Sequence, residues 1–289
     1  MPHLLRLLTI SAILALFVQA AHAQSARQQL CPDGYAALSQ NEADAAITAF
    51  QACLAEQFYD WPQEAELRTR LGAAYLASGR SEEALIAYNQ IFALVEANDG
   101  DVDNPLIRRN RAAAYLQLDR PEDALPDLEI ALARIPEDGF TAVLAGSAYL
   151  DLDRAAEAVA AFDAAVRAEP SYASAWIGRS AAFVELGMST LAIEDAREAV
   201  SLQPDDPGAL NALCWALVRA ERAADALTTC RAASEAAPEE GSITHSLAAA
   251  LEQIGENEEA HALYARAYAQ SPDDPEIIQD YERVFGATP

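Results

Sequence analysis

The sequence predicts an all-α fold, a solenoid of antiparallel helix pairs. Three observations carry that reading. Prolines recur every 34 residues, at Pro136, Pro170, Pro204, Pro238 and Pro272. Two alanine columns keep step with them: Ala124, Ala158, Ala192, Ala226 and Ala260, then Ala131, Ala165, Ala199, Ala233 and Ala267. Two further columns do the same. One is small (Ala112, Gly146, Ser180, Cys214, Ala248) and one is bulky and apolar (Tyr115, Tyr149, Phe183, Leu217, Leu251).

Each column has a helical meaning. The small and bulky columns stand three residues apart and the alanine columns seven apart, so each pair shares one helix face. Proline lacks the backbone N–H and disfavours helix at the residue before it, so each of these prolines ends a helix at the same point of a unit. A polar linker and a new apolar stretch follow. That gives two helices per unit, with alanine letting their backbones approach closely.

With these columns in place, the chain resembles the tetratricopeptide repeat, a helix-turn-helix unit of 34 residues. The resemblance rests on repeat positions 8, 11, 20, 27 and 32. It implies a right-handed superhelix. The clear units are 105–138, 139–172, 173–206, 207–240 and 241–274. A further unit, 65–98, keeps Leu71, Gly72, Tyr75, Gly79, Ala84 and Tyr88 but has Glu96 where the proline should stand. The stretch Asp99 to Asn104 then breaks the beat. A weaker unit, 27–60 within an N-terminal segment 24–64, is read from Gly34, Ala46, Phe50 and Cys53. Trp176 alone supplies the family's usual tryptophan, and Pro126 inside a second helix predicts a kink. Residues 275–289 read as a capping helix with a stripe of Ile278, Tyr281 and Phe285, which a repeat array needs at its end.

Residues 1–23 differ in kind. Arg6 precedes the apolar run Leu7 to Val18, and Ala21-His22-Ala23 is a small-x-small cleavage pattern. That is a secretory signal peptide, cut after Ala23, with an uncleaved anchor as the second reading. A periplasmic or secreted protein is expected, with no membrane insertion after cleavage.

Charge narrows the partners. The chain has 45 acidic against 19 basic residues, a formal net charge of −26, and every basic residue is arginine. Such a field repels phosphate, so nucleic acid is not an expected partner. Acidic pairs such as Glu82-Glu83, Glu239-Glu240 and Glu258-Glu259 fall at turns or helix starts, where they suit the helix dipole.

Chemistry is sparse. His3 and His22 lie in the leader, and His245 and His261 lack a metal-ligand pattern and read as exposed polar positions. There is no C-x-x-C, and no phosphate-binding lysine. No catalytic residue, metal or cofactor is assigned. The repeat phase does give the cysteines partners. Cys31 and Cys53 take positions 5 and 27, and Cys214 and Cys230 take positions 8 and 24. Both pairs add to the same number, so each stands opposite its partner in an antiparallel helix pair. Disulfides Cys31–Cys53 and Cys214–Cys230 are expected in an oxidising compartment, with buried free thiols as the other reading.

The resemblance implies a concave groove lined by the first helix of each unit. On this chain the lining falls on Arg70, Arg109, Asn110, Phe140, Val143, Ser147, Ile177, Ala181, Asn211, Trp215, Arg219 and His245. Packing between units is the competing reading for Val143, Ile177 and Trp215. Arg70 with Arg109 suits a carboxylate, and the apolar middle suits hydrophobic side chains of a bound peptide. The family's asparagine-based carboxylate clamp is not carried over, because Ala73 and Ala113 occupy its positions. The expected function is a non-catalytic scaffold or adaptor that binds a protein or peptide partner in an envelope assembly. A self-assembling structural subunit is the second reading. An enzyme or metal-dependent carrier is a distant third.

Overall fold

A computed structural model describes residues 30–56 and 59–286. The signal peptide expected at 1–23 lies outside the described residues. Within them, all regular structure is helical. The order is α1 (Pro32–Ser39), α2 (Ala43–Glu56), α3 (Trp61–Ala77), α4 (Ser81–Glu96), α5 (Pro105–Gln117), α6 (Pro121–Arg134), α7 (Gly139–Asp151), α8 (Ala155–Ala168), α9 (Ala173–Glu185), α10 (Ser189–Leu202), α11 (Pro207–Arg219), α12 (Ala223–Ala236), α13 (Gly241–Gln253), α14 (Asn257–Gln270) and α15 (Pro275–Phe285).

The chain divides into two compact units, one running to Ala148 and the other from Tyr149. In the first, each helix from α1 to α6 packs on the next, and α3 also meets α5. In the second, α8 to α15 pack consecutively, with α9 on α11 and α11 on α13. The sequence's helix-pair solenoid is therefore what forms.

The prolines act as the periodicity predicts. The five helices that precede them are capped by Ile135, Glu169, Gln203, Ala237 and Ser271, each the residue just before a proline. All five take extended backbone, with φ from −133° to −143°. Proline's ring bars the helical region at that residue. Where Glu96 replaces proline, the end residue Ala97 stays helical at φ −63°, ψ −15°. The chain turns two residues later at Asp99, where φ is 52°.

Inside every repeat the turn is set by one left-handed residue, at repeat position 15. It is Asn41, Gly79, Asp119, Asp153, Gly187, Glu221 and Gly255 in chain order. Glycine or a short polar side chain is the usual occupant of that conformation. Glu221 is neither, at φ 58°.

The core fills at the helix crossing, where a small residue faces a large one. A Cβ on Gly34 would lie 2.7 Å from the Phe50 ring, and one on Gly72 2.7 Å from the Tyr88 ring. Both pairs occupy repeat positions 8 and 24. Cys214 and Cys230 occupy the same two positions, and here the small–large pairing gives way to a disulfide with Cα atoms 5.0 Å apart. Cys31 and Cys53 form the second disulfide, with Cα atoms 6.0 Å apart.

Arginine clamps tie neighbouring helices together at repeat position 7. Arg179 forks onto Asp195 at 2.7 and 3.0 Å and reaches back to Asp163 at 2.9 Å. Arg111 does the same in the first unit, forking onto Asp127 at 2.6 and 2.9 Å and reaching Asn89 at 3.0 Å. Asp127 and Asp195 are buried, so their charges need these bidentate partners.

Two details concern positions singled out in the sequence. α6 continues from Pro121 to Arg134 with Pro126 inside it, exposed to solvent where its missing N–H leaves a carbonyl that water can reach. On α15 the fully buried residue is Ile277, not its neighbour Ile278. Tyr281 stacks on Tyr268 with ring centres 4.4 Å apart, and Phe285, though exposed, packs on Tyr281 at 4.7 Å and edges against His261 at 6.0 Å.

Candidate functional site: the first-helix face

The residues proposed to line the groove fall into two groups. Val143, Ser147, Ile177, Asn211, Trp215, His245 and Arg109 are buried. Arg70, Asn110, Phe140 and Ala181 are partly exposed, and the Arg219 side chain is 46% accessible. Every helix of a repeat array has neighbours on both sides, so first-helix positions close to the crossing are covered by the next repeat. The sequence phase identifies the helix face but not how deep the neighbouring helix reaches over it.

In the first unit the two arginines already hold carboxylates. Arg70 donates to Glu66 from Nε and Nη2, both at 2.9 Å. The Tyr35 hydroxyl donates to the same Glu66 at 3.2 Å, and the Arg70 guanidinium lies 5.7 Å from the Tyr35 ring centre. Burial first, and the Glu66 charge second, push the Tyr35 hydroxyl up to about 12. Arg109 donates from Nη1 to Asp138 at 3.0 Å and covers the Phe140 ring at 5.3 Å. Asp138 is also held by the Thr141 hydroxyl at 2.6 Å and accepts from the Thr141 backbone N–H at 3.2 Å, which fixes the start of α7. These arginines can still offer unused N–H groups, since each carries five donors.

In the second unit α15 covers the site. His245 is wedged between the Trp215 and Tyr264 rings, each centre 5.6 Å away, and its Nε2 lies 2.8 Å from Asp280 Oδ2. His245 was expected at an exposed polar position; it is instead 3% accessible, because α15 lies over it. His261 is exposed as expected. Arg283 forks onto Glu252 at 2.7 Å from both Nη atoms and reaches Asp280 from Nε at 2.9 Å. Tyr264 donates to Glu252 at 2.8 Å. Arg219 lies over the Trp215 ring at 5.4 Å and donates to Glu276 at 3.4 Å.

Electrostatics follow from these contacts. The Arg283 hydrogen bond holds Glu252 below the usual carboxylate range. Burial pushes Asp280 up, but hydrogen bonds from His245 and Arg283 outweigh it and leave this carboxyl low. Burial raises Glu276, only partly countered by the nearby positive charges. Trp215 Nε1 and both side-chain amide atoms of Asn211 are buried without a hydrogen-bond partner among the described residues. Glu276 and Asp280 escaped the sequence reading. Their i, i+4 spacing on the cap was the available signal, pointing two carboxylates at one neighbouring face. Among the described residues no group of three or more histidine, cysteine or carboxylate side chains is placed to hold a metal ion.

Comparison with known sequence families settles what kind of array this is. A profile described as tetratricopeptide repeat matches residues 140–285, and a second with the same description matches residues 33–102. The chain belongs to the tetratricopeptide-repeat family. No curated protein matches its sequence. Among solved structures it is similar to a tetratricopeptide repeat protein from Parabacteroides merdae, at 19% identity and a TM-score of 0.70, covering 90% of this chain and 99% of that one. It is also similar to PilW, described as a widely conserved type IV pilus biogenesis factor, at 20% identity and a TM-score of 0.61, covering 75% and 97%. A MamA protein is similar at 18% identity and a TM-score of 0.50, covering 62% and 94%. At these identities the likeness is one of fold. Tetratricopeptide-repeat proteins generally mediate protein–protein interaction.

Proposed function

We propose that this protein is a non-catalytic scaffold or adaptor that binds a peptide or protein partner along its first-helix face. The observation that carries the reading is a tetratricopeptide-repeat array whose first helices leave Arg70, Asn110 and Phe140 accessible among buried neighbours in the first unit. Accessible guanidinium, amide and aromatic groups supply fork hydrogen bonds and a flat apolar contact, which suit a peptide backbone and its acidic or aromatic side chains.

The setting we propose is the periplasm, as part of an envelope assembly. Two disulfides support an oxidising compartment. The leader at 1–23 agrees, and among the described residues no helix is long and apolar enough to cross a membrane. PilW, which has a similar fold, is described as a type IV pilus biogenesis factor, and an envelope role here is in keeping with that.

The test is capture from the envelope fraction of the source cell after reversible crosslinking, comparing the full chain with Arg70→Glu and Phe140→Ala. A discrete partner retained by the native chain and lost by both variants supports the groove. A partner held equally by all three, with helicity unchanged, overturns it. Light scattering over a range of concentrations addresses self-assembly directly: a monomer throughout removes the structural-subunit reading.

A further inference from the structure

Among the described residues Arg197 is the one arginine with neither an ion pair nor a hydrogen bond. The others hold carboxylates, save Arg266, which meets the Ser234 and Thr244 hydroxyls instead. In a chain with a net charge of −26, an exposed guanidinium without a carboxylate partner stands out. It lies in the second unit, beside an open cleft of about 470 Å³ between α10 and the turn that follows α11. Arg197, Arg219 and Arg222 all line that cleft.

The other two arginines keep donors in reserve. Arg219 spends Nη1 on Glu276. Arg222 spends Nε and Nη2 on Asp225. That leaves Nε and Nη2 of Arg219 and Nη1 of Arg222, together with the whole Arg197 fork. The lining also carries two carboxylates, Glu194 and Glu221, and an apolar floor at Ile193 and Ala220. This mixture decides the class of ligand. Glu194 and Glu221 would repel a compact polyanion such as phosphate. An extended polypeptide can place carboxylates on the guanidinia while a backbone N–H group meets Glu194.

We propose that this cleft is a second docking site, reaching from the end of a first helix onto a second helix, for an acidic polypeptide segment of a partner. The inference stands on the protein-binding reading but needs none of Arg70, Asn110 or Phe140. Glu221 gives it a further handle. Its backbone is held in the left-handed turn at φ 58°, which places its negative charge at the cleft edge. That charge weakens an acidic ligand, so the site has affinity held in reserve.

The test is fluorescence anisotropy with the full chain at low salt. The probe is a rhodamine-labelled decapeptide alternating glutamate and serine, with the glutamine-for-glutamate peptide as control. The acidic peptide is expected to bind saturably, at least about tenfold tighter than the control, and to weaken as salt rises. Arg197→Glu should weaken it at least about tenfold, since one charge-assisted fork becomes a repulsion, and Glu221→Gln should tighten it. Both positions are exposed, and circular dichroism checks that the helices persist. The proposal is overturned if the acidic peptide does not bind, if both peptides bind equally, or if Arg197→Glu changes nothing. It is also overturned if equimolar inorganic phosphate displaces the peptide, which makes the cleft a simple anion site. Arg70→Glu leaves this assay unchanged while abolishing groove capture, so the two readings fail separately.

Discussion

Cys214 and Cys230 are bonded across one helix pair at the same register that sets Gly72 against Tyr88 and Gly34 against Phe50. The repeat therefore solves one packing problem in two ways. An aromatic ring fills the gap left by glycine, or two small sulfur-bearing side chains join across it.

The bond should matter to stability. Its sequence separation is 16 residues, and closing a loop of that size stabilises by about 3 kcal/mol. Urea unfolding of Cys214→Ala/Cys230→Ala against the native chain is expected to show that loss. Adding reductant to the double variant then reports Cys31–Cys53 alone.

Gly72→Ala should destabilise by about 1–3 kcal/mol, because the new methyl meets the Tyr88 ring at 2.7 Å in a packed interior. The repeat supplies its own remedy. Ala112 and Leu128 stand at the matching positions of 105–138, both fully buried. Gly72→Ala with Tyr88→Leu should recover much of the loss. An alanine that costs nothing, or a double variant no better than the single, contradicts the register.

Arg179→Ala should cost about 3–5 kcal/mol, since it strands the buried Asp195 carboxylate. Arg179→Lys should restore only part of this, because an ammonium cannot make the two-pronged contact at 2.7 and 3.0 Å. Thermal unfolding of the three proteins ranks them.

The cap should respond to acid in two opposite senses. Asp280 and Glu252 have lowered folded values, so their stabilisation is present above the ordinary carboxylate range and is lost as pH falls through the folded values. Glu276 is raised, so the folded state binds its proton more readily, and stability declines as pH rises from the ordinary 4.5 toward the folded value. Glu276→Gln should remove that decline and leave the cap more stable at neutral pH. Asp280→Asn should flatten the loss below pH 4. Hydrogen exchange of α15 amides against pH reads both.

Helix number, phase and disulfide partners were legible in the sequence because they follow from strict spacing. A proline every 34 residues fixes five helix ends, and antiparallel register then places Cys214 opposite Cys230. Burial of the groove candidates was not legible. Trp215, Asn211 and His245 share a face with Arg219, yet only Arg219 escapes its neighbours, and that depends on how far α15 and the adjoining helices overlap. The left-handed turn residue was half-hidden too. Gly79, Gly187 and Gly255 announce it, but Asp119, Asp153 and Glu221 hold the same conformation without glycine. The cap's own carboxylates were missed because α15, although it starts one period after Gly241, shows in the sequence chiefly its apolar stripe.

The central claim, that a partner is held on the first-helix face, is tested most directly by photo-crosslinking in the source cell. A photoreactive phenylalanine is placed at Asn110 or Phe140 on that face, or at the exposed Glu129 on α6, a second helix. The account predicts one discrete adduct from Asn110 and Phe140 and none from Glu129. An adduct from Glu129 alone, or no adduct from either groove position, would contradict it.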